Sequence, residues 1–128
     1  MNVKSREAGY KSMDNKNIIV LKKILHHTVS IMNYCSDCHS RVEFEREPMR
    51  VEATVFNLMQ IGELAKESLD DEMKLKIKTV PWHQIYGLRN RIVHGYSGVN
   101  MQIVWDTVQE DIPALHRELS SVLDTMNN

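Results

Sequence analysis

Apolar residues recur at three- and four-residue steps along most of this chain, which is the period of an amphipathic α-helix. The first stripe starts near Asp14, and Asp14 and Asn15 are candidate N-caps for it. Its apolar-face positions are Ile18, Leu21, Leu25, Thr28, Met32 and Cys35. A charged stretch over 36–47 ends the stripe. Pro48 follows, and its fixed φ suits the opening turn of a second helix.

The second predicted helix shares one apolar face, made of Val51, Val55, Leu58, Gly62 and Ala65, with Met59 and Leu64 flanking it. A short lysine-rich helical segment is expected within 70–79, ending before Pro81, because proline disfavours the α conformation at the preceding residue. The next helix is expected to begin near Trp82 and to end around His94. Gly95 then occupies the left-handed C′ position, where a missing Cβ removes the steric penalty.

The last stripe continues almost to the end of the chain, through Val104, Val108, Ile112, Leu115, Leu119 and Val122. Asn100 is its predicted N-cap after a loop over 96–99, and Pro113 predicts a kink because the stripe continues past it. No segment shows sustained alternation with period two. We therefore predict an all-α, antiparallel bundle of four to five helices.

Length and composition bound the organisation of the chain. Its 128 residues suit one domain, assigned to 13–128, after a flexible leader over 1–12 that lacks an apolar period. Sixteen basic and seventeen acidic residues give a formal charge of -1, so nucleic acid must be bound locally rather than by a global basic field. Neither a secretory signal nor a membrane-spanning run is apparent, which predicts a cytoplasmic protein.

Two cysteines form a pattern that resembles cofactor sites. Residues 35–39 read Cys-Ser-Asp-Cys-His, the C-x-x-C-H pattern of c-type haem attachment, but that chemistry normally needs export. As a zinc site the pair Cys35 and Cys38 lacks a second pair of ligands. We interpret them as reduced thiols at a helix end, and we expect neither a metal nor another cofactor.

The most concentrated polar run is 89–96, with the sequence Arg-Asn-Arg-Ile-Val-His-Gly-Tyr. On a regular helix Arg89 and His94 lie about 140° apart around the axis and about 7.5 Å along it, so they do not share a face. Asn90 and His94 do. Two geometries remain open: the long Arg89 side chain curls toward the imidazole, or two copies of the run converge across a symmetric dimer. Either produces a cationic notch.

Such a notch suits phosphodiester cleavage without a metal. Histidine can move a proton near neutral pH, and arginine stabilises the charge that develops on the phosphoryl oxygens. In RNA the imidazole would either deprotonate the 2′-hydroxyl or protonate the leaving 5′-oxygen, giving a cyclic phosphate. Arg89 and His94 are the catalytic candidates, supported by Asn90 and Arg91. The alternative is a solvated helix end whose basic residues compensate the helix dipole.

The run 89–96 resembles the Arg-x4-His-x-Tyr motif of the HepT-like family, a branch of the HEPN superfamily of small helical proteins. The resemblance extends from about Asp14 to Met126. Its other matching pieces are Ile61–Lys66, Val80–Trp82 leading to Ile85–Leu88, and Val104–Trp105 followed by Asp111–Leu115. Together these pieces are far more specific than an isolated Arg-x4-His.

This resemblance implies the ribonuclease toxin of a type VII toxin–antitoxin pair, whose antitoxin is a MntA-like minimal nucleotidyltransferase. It implies that Arg89 and His94 are the catalytic pair and that Tyr96 accepts adenylyl groups from ATP, which would switch the enzyme off. It also implies a homodimer in which the two motif helices lie near each other. For Tyr96 the alternative is an ordinary loop phenol packed on the bundle.

Two other functions remain open at the level of the sequence. The bundle would serve as a noncatalytic binding subunit that presents substrate or nucleotide to a partner nucleotidyltransferase, and failure of the isolated protein to cleave RNA would favour this. A haem-binding electron carrier, the third class, would show a Soret band on purification.

Overall fold

The computed structural model describes residues 15–93 and 99–127, and within them only the backbone of residues 88, 89, 91–93 and 127. Every regular element in these two ranges is helical, which confirms the all-α prediction. The α-helices are α1 (Asn15–Tyr34), α2 (Arg41–Glu45), α3 (Pro48–Glu63), α4 (Asp71–Lys76), α5 (Trp82–Val93), α6 (Met101–Asp106) and α7 (Ile112–Asn127). Two π-helical segments, Leu64–Ser68 and Thr107–Asp111, continue α3 and join α6 to α7. The predicted leader 1–12 and the candidate cap Asp14 lie outside the described residues.

The long helices pack as a bundle in which α1 contacts both α3 and α7, and α3 also contacts α5. Asn17, near the start of α1, hydrogen-bonds to Asp70, which follows α3. Cys35, just after α1, contacts Thr54 in the first half of α3. Because opposite ends of the two helices meet in this way, α1 and α3 run antiparallel, as predicted.

The short helix α2 lies inside the stretch 36–47 that the hydrophobic pattern left without an element. Ser40 is its N-cap and accepts a hydrogen bond from Glu43 N at 3.2 Å, while Glu43 accepts one from His39 N at 2.8 Å. Such reciprocal bonds between the cap region and the third helical residue satisfy otherwise unpaired N–H groups. Phe44 then lies fully buried against Trp105, with ring centroids 5.6 Å apart.

Helix α3 begins at Pro48, as predicted, but its buried face is rotated from the predicted one. Leu58, Gly62 and Ala65 are buried, whereas Val51 and Val55 are only half-buried. The remaining buried positions are Thr54, Asn57 and Ile61. Two of these are polar, and burial is tolerated because each has a partner: Asn57 donates to Ala53 O at 2.7 Å and contacts His27 Nδ1 at 2.6 Å, and Thr54 contacts Cys35.

The C-terminal helix is continuous from α6 through the second π-helical segment into α7. Asn100 caps it by accepting hydrogen bonds from Gln102 N and Ile103 N, which confirms the predicted cap. The predicted apolar stripe is buried from Val104 to Leu119, and Val122 is half-buried. The hydrogen-bonding pattern changes from α to π over Thr107–Asp111, a segment that ends two residues before Pro113, which has no N–H to donate.

Across residues 15–93 and 99–127, no helix is both long enough and apolar enough to cross a bilayer.

Candidate functional site at the end of helix α5

The start of α5 is fixed by the buried side chain of Trp82. Its indole N–H donates to the Ile77 carbonyl at 3.0 Å, and the residue is 8% exposed. The first hydrogen bond of the helix runs from Ile85 N to the Pro81 carbonyl at 3.1 Å. A buried anchor of this kind sets the rotation of the helix about its axis, and hence the direction of every later position on it.

The polar run begins on the core-facing side of α5 and continues around to the solvent side. Successive helical residues are about 100° apart, so Arg89 occupies a position about 20° from that of buried Trp82. Asn90 is exposed, as are His83 and Gln84. The position of Arg91 is about 180° from that of Trp82, on the solvent side.

The structure therefore places three of the five predicted site residues on one helix end. Arg89, Asn90 and Arg91 all lie in α5. His94 and Tyr96 lie outside the described residues, as does the predicted C′ residue Gly95. The pairing of Arg89 with His94 stays a prediction.

Helix α5 ends at the same side of the bundle as the turn after α1 and the start of α3. Ile61 late in α3 and Ile85 early in α5 line one cleft, so these two helices run antiparallel. The end of α5 is accordingly directed toward the start of α3, near Arg50. Helix α2 lies at this side too, because Arg41 Nη1 donates to Gln102 Oε1 at 3.3 Å at the start of α6.

The cleft between α5 and the C-terminal helix is a poor candidate for phosphate binding. Its volume is about 90 Å³, and its apolar wall includes Ile61, Ile85 and Ile112. The charged side chains that line it are the carboxylates of Asp111 and Glu118. Anionic groups repel a phosphate, whereas arginine and lysine bind it. The cleft also lies at the start of α5 rather than at the end that carries the polar run.

The two cysteines are free thiols at the end of α1, as predicted, and both are buried. Burial raises the pKa of each thiol above its ordinary value near 9.0; at Cys35 the hydrogen bond with Thr54, and at Cys38 the charge of Arg50, partly offset this. Both are therefore protonated at neutral pH. Within the described part of the chain, no cluster of three or more histidine, cysteine or acidic side chains is arranged to hold a metal ion.

The hydrophobic pattern gave no sign of two basic residues that the structure places against functional elements. Lys74 Nζ lies 4.8 Å from the ring centroid of Tyr86 on α5. Burial lowers the pKa of Lys74, but hydrogen bonds and charge interactions with Tyr86 and Asp71 outweigh this and raise it overall. Arg50, in the first turn of α3, is held against Cys38 and Asp37. Both pairings join separate segments, so spacing along one helix could not reveal them.

The chain is similar to one known protein family and to several individual proteins. Residues 24–122 match the family described as Ribonuclease HepT-like, a range that includes the whole run 89–96. "Putative RNase TTE0752" of Caldanaerobacter subterraneus subsp. tengcongensis is 37% identical over 81 residues, covering 63% of this chain and 71% of the relative. "Putative RNase MJ1380" of Methanocaldococcus jannaschii is 30% identical over 102 residues, covering 80% and 92%. No solved structure matches the chain at a significant level.

Proposed function

The chain belongs to the HepT-like ribonuclease family of the HEPN superfamily, and from this premise we propose that it is a metal-independent endoribonuclease and the toxin of a type VII toxin–antitoxin pair. The observation that carries the proposal is the family match, because it spans the bundle together with the run 89–96. The cytoplasm, where the RNA substrate is made and used, is the proposed compartment.

Arg89 and His94 are the proposed catalytic residues. His94 takes the proton of the 2′-hydroxyl, the 2′-oxygen attacks phosphorus, and the bond from phosphorus to the 5′-oxygen breaks as that oxygen gains a proton. The products are a 2′,3′-cyclic phosphate and a 5′-hydroxyl. Arg89 stabilises the negative charge on the phosphoryl oxygens, and the Trp82 anchor fixes the rotation of the helix that carries residue 89. Asn90 and Arg91 support the site by contacting the flanking RNA backbone.

A homodimer is part of the proposal because of the angle between the two catalytic positions. Arg89 lies on the core-facing side of α5, and a regular continuation of the helix would put His94 about 140° away. Two copies related by a twofold axis would let Arg89 of one chain face His94 of the other. A dimer of this kind also doubles the local positive charge offered to RNA.

Tyr96 is the proposed switch, and a MntA-like nucleotidyltransferase is the proposed antitoxin. The tyrosine oxygen attacks the α-phosphorus of ATP, pyrophosphate leaves, and an adenylyl group remains on the ring. This group adds a negative charge and a nucleotide volume two residues from His94. It would therefore compete with the RNA phosphate for Arg89 and block the notch.

The test is cleavage of RNA by the purified full chain in a buffer that contains a metal chelator. We expect cyclic-phosphate ends, no cleavage when the scissile nucleotide is 2′-deoxy, and losses of about 100-fold or more for Arg89→Ala and for His94→Ala. The matched controls are His83→Ala on the exposed side of α5 and Arg117→Ala on the exposed side of α7. Both should keep wild-type activity.

Mass spectrometry tests the switch separately. Expression together with the nucleotidyltransferase should add adenylyl mass to the peptide that contains Tyr96, and Tyr96→Phe should remove it. If the unmodified wild-type chain binds RNA but does not cut it, the nuclease assignment is wrong and the chain is a noncatalytic binding subunit. Full activity of the Arg89→Ala, His94→Ala double variant would also contradict the assignment.

A further inference from the structure

The turn that follows α1 brings two free thiols together in a geometry suited to a disulfide. Cys38 N donates to the Cys35 carbonyl at 3.0 Å, so the two cysteines stand at the first and fourth positions of a hydrogen-bonded turn. Such a turn keeps its end Cα atoms within about 7 Å, and disulfides need a Cα separation of about 4.4–6.8 Å. The hydrogen-bonded turn therefore brings the two Cα atoms close to the separation that a disulfide needs.

A nearly buried guanidinium holds the second thiol on α3. Arg50 Nη1 lies 2.9 Å from Cys38 Sγ and 3.3 Å from Asp37 Oδ1. Arg50 Nε is buried and has no hydrogen-bond partner among the residues that the structure describes. Cys35 Sγ, on the other side of the turn, lies 3.8 Å from the Thr54 hydroxyl in the core. The contact between Cys38 and Arg50 thus attaches the turn to the start of α3.

We propose that Cys35 and Cys38 form a modification site at which a hydroperoxide oxidises the two thiols to an intrachain disulfide that releases Arg50 from Cys38. The small fraction of Cys38 that has lost its proton attacks one oxygen of the peroxide as a thiolate, which gives a sulfenic acid on Cys38 and one water when hydrogen peroxide is the oxidant. The Cys35 thiol then attacks that sulfur, a disulfide forms, and a second water leaves. The thiols lose two electrons and the peroxide gains them.

The surroundings of the two sulfurs assign their roles. A cation beside a thiol favours its thiolate, and the guanidinium of Arg50 lies beside Cys38. Ser36 and Asp37 between the cysteines are exposed, so opening of this turn admits the oxidant to Cys38. Cys35 contacts the core through Thr54 and is the resolving thiol. Each cysteine is 7% exposed, which makes the reaction slower than that of a free cysteine.

Formation of the disulfide changes the bundle end that carries the proposed nuclease site. Sγ of Cys38 turns toward Cys35, so Arg50 loses its contact with the sulfur and keeps its ion pair with Asp37. Arg50 lies in the first turn of α3, and α3 packs on α5. Release of Arg50 from Cys38 therefore changes the packing of α3 against the end of α5. This last step rests on the proposed function, and we expect the oxidised protein to cleave RNA at least about fivefold slower than the reduced protein, the lower end of typical coupling between sites.

Peptide mapping of the full chain after treatment with hydrogen peroxide tests the site without reference to activity. We expect a peptide that holds both cysteines to be lighter by two hydrogens, and dithiothreitol to reverse the change. Cys35→Ser should stop the reaction at a sulfenic acid that dimedone labels on Cys38. Cys38→Ser should give no disulfide. Arg50→Met should slow the labelling of Cys38 about tenfold, the effect of one pKa unit on the thiolate fraction.

Two results would overturn the proposal. The first is a folded chain that keeps both thiols under conditions in which the chain in urea forms the disulfide. The second is a folded chain that forms disulfides only between molecules. Failure of RNA cleavage in the reduced protein would count against the proposed function alone, because the disulfide map does not depend on activity.

Discussion

The buried side-chain amide of Asn17 connects the start of α1 to Asp70, which follows α3. Asn17 is 1% exposed, and its Nδ2 donates to Asp70 Oδ2 at 3.1 Å while its Oδ1 accepts from Asp70 N at 3.1 Å. Lys16 adds an exposed ion pair with the same carboxylate at 3.7 Å. Since exposed pairs contribute little, the buried amide is the main connection between the start of α1 and the junction before α4.

We expect Asn17→Ala to lower the free energy of unfolding by about 1–3 kcal/mol, because it removes both hydrogen bonds between the buried Asn17 amide and Asp70. Urea denaturation followed by circular dichroism measures this change. The control is Asn15→Ala, an exposed neighbour on the same helix turn, which should change stability by less than about 0.5 kcal/mol. Equal effects of the two variants would contradict the role assigned to Asn17.

Helices with long apolar stripes could be predicted from the sequence, and elements that depend on distant partners could not. The bounds of α1, α3 and α5 follow from periodicity and from Pro48 and Pro81. Helix α2 was not predicted, because it has only five residues and one buried side chain. That side chain, Phe44, packs on Trp105, which lies far along the chain. The π-helical segments were not predicted either, because they depend on local packing rather than on a repeating pattern of residues.

The candidate site, too, could be predicted from the sequence only in part. The concentration of polar residues identified the run 89–96, and the structure confirms that Arg89, Asn90 and Arg91 lie on the helix that Trp82 anchors. Spacing could not decide whether Arg89 meets a histidine of its own chain or of a second copy. That choice depends on contacts outside the helix, and periodicity carries no information about them.

Asn100 offers a test at the scale of one element. Its side-chain oxygen accepts from Gln102 N at 3.1 Å and from Ile103 N at 3.2 Å at the start of the C-terminal helix. We expect Asn100→Ala to lower the free energy of unfolding by about 1 kcal/mol, the usual effect of losing an N-cap. Asn100→Asp keeps an acceptor oxygen and should remain within about 0.5 kcal/mol of the wild type. Thermal or urea unfolding distinguishes these outcomes, and unchanged stability of the alanine variant would contradict the cap.

The whole molecule has a net charge of -1, so its long-range field does little to attract RNA. Binding and catalysis must depend on a few cations at one place. The run 89–96 provides Arg89, Arg91 and His94, and the family membership of the chain makes RNA the expected ligand. Bringing two such runs together across a dimer is the simplest way for a nearly neutral protein to build a strong local site.

Mixing two inactive variants tests whether the site is shared between chains. We expect Arg89→Ala and His94→Ala each to be inactive alone and active after they are unfolded and refolded together. If each site pairs Arg89 of one chain with His94 of the other, random mixing makes half of the dimers heterodimers, and one of the two sites in each is intact. The mixture should then regain about a quarter of wild-type cleavage, by the symmetry of a twofold interface.

The control is the Arg89→Ala, His94→Ala double variant refolded with either single variant, which leaves no site with both residues and should stay inactive. Size-exclusion chromatography with light scattering should show a dimer in every sample. A mixture that forms dimers and regains no activity would place Arg89 and His94 of one chain in the same site. The Arg89 side chain would then have to curl around α5 to the imidazole, because the helix itself separates the two positions by about 140°.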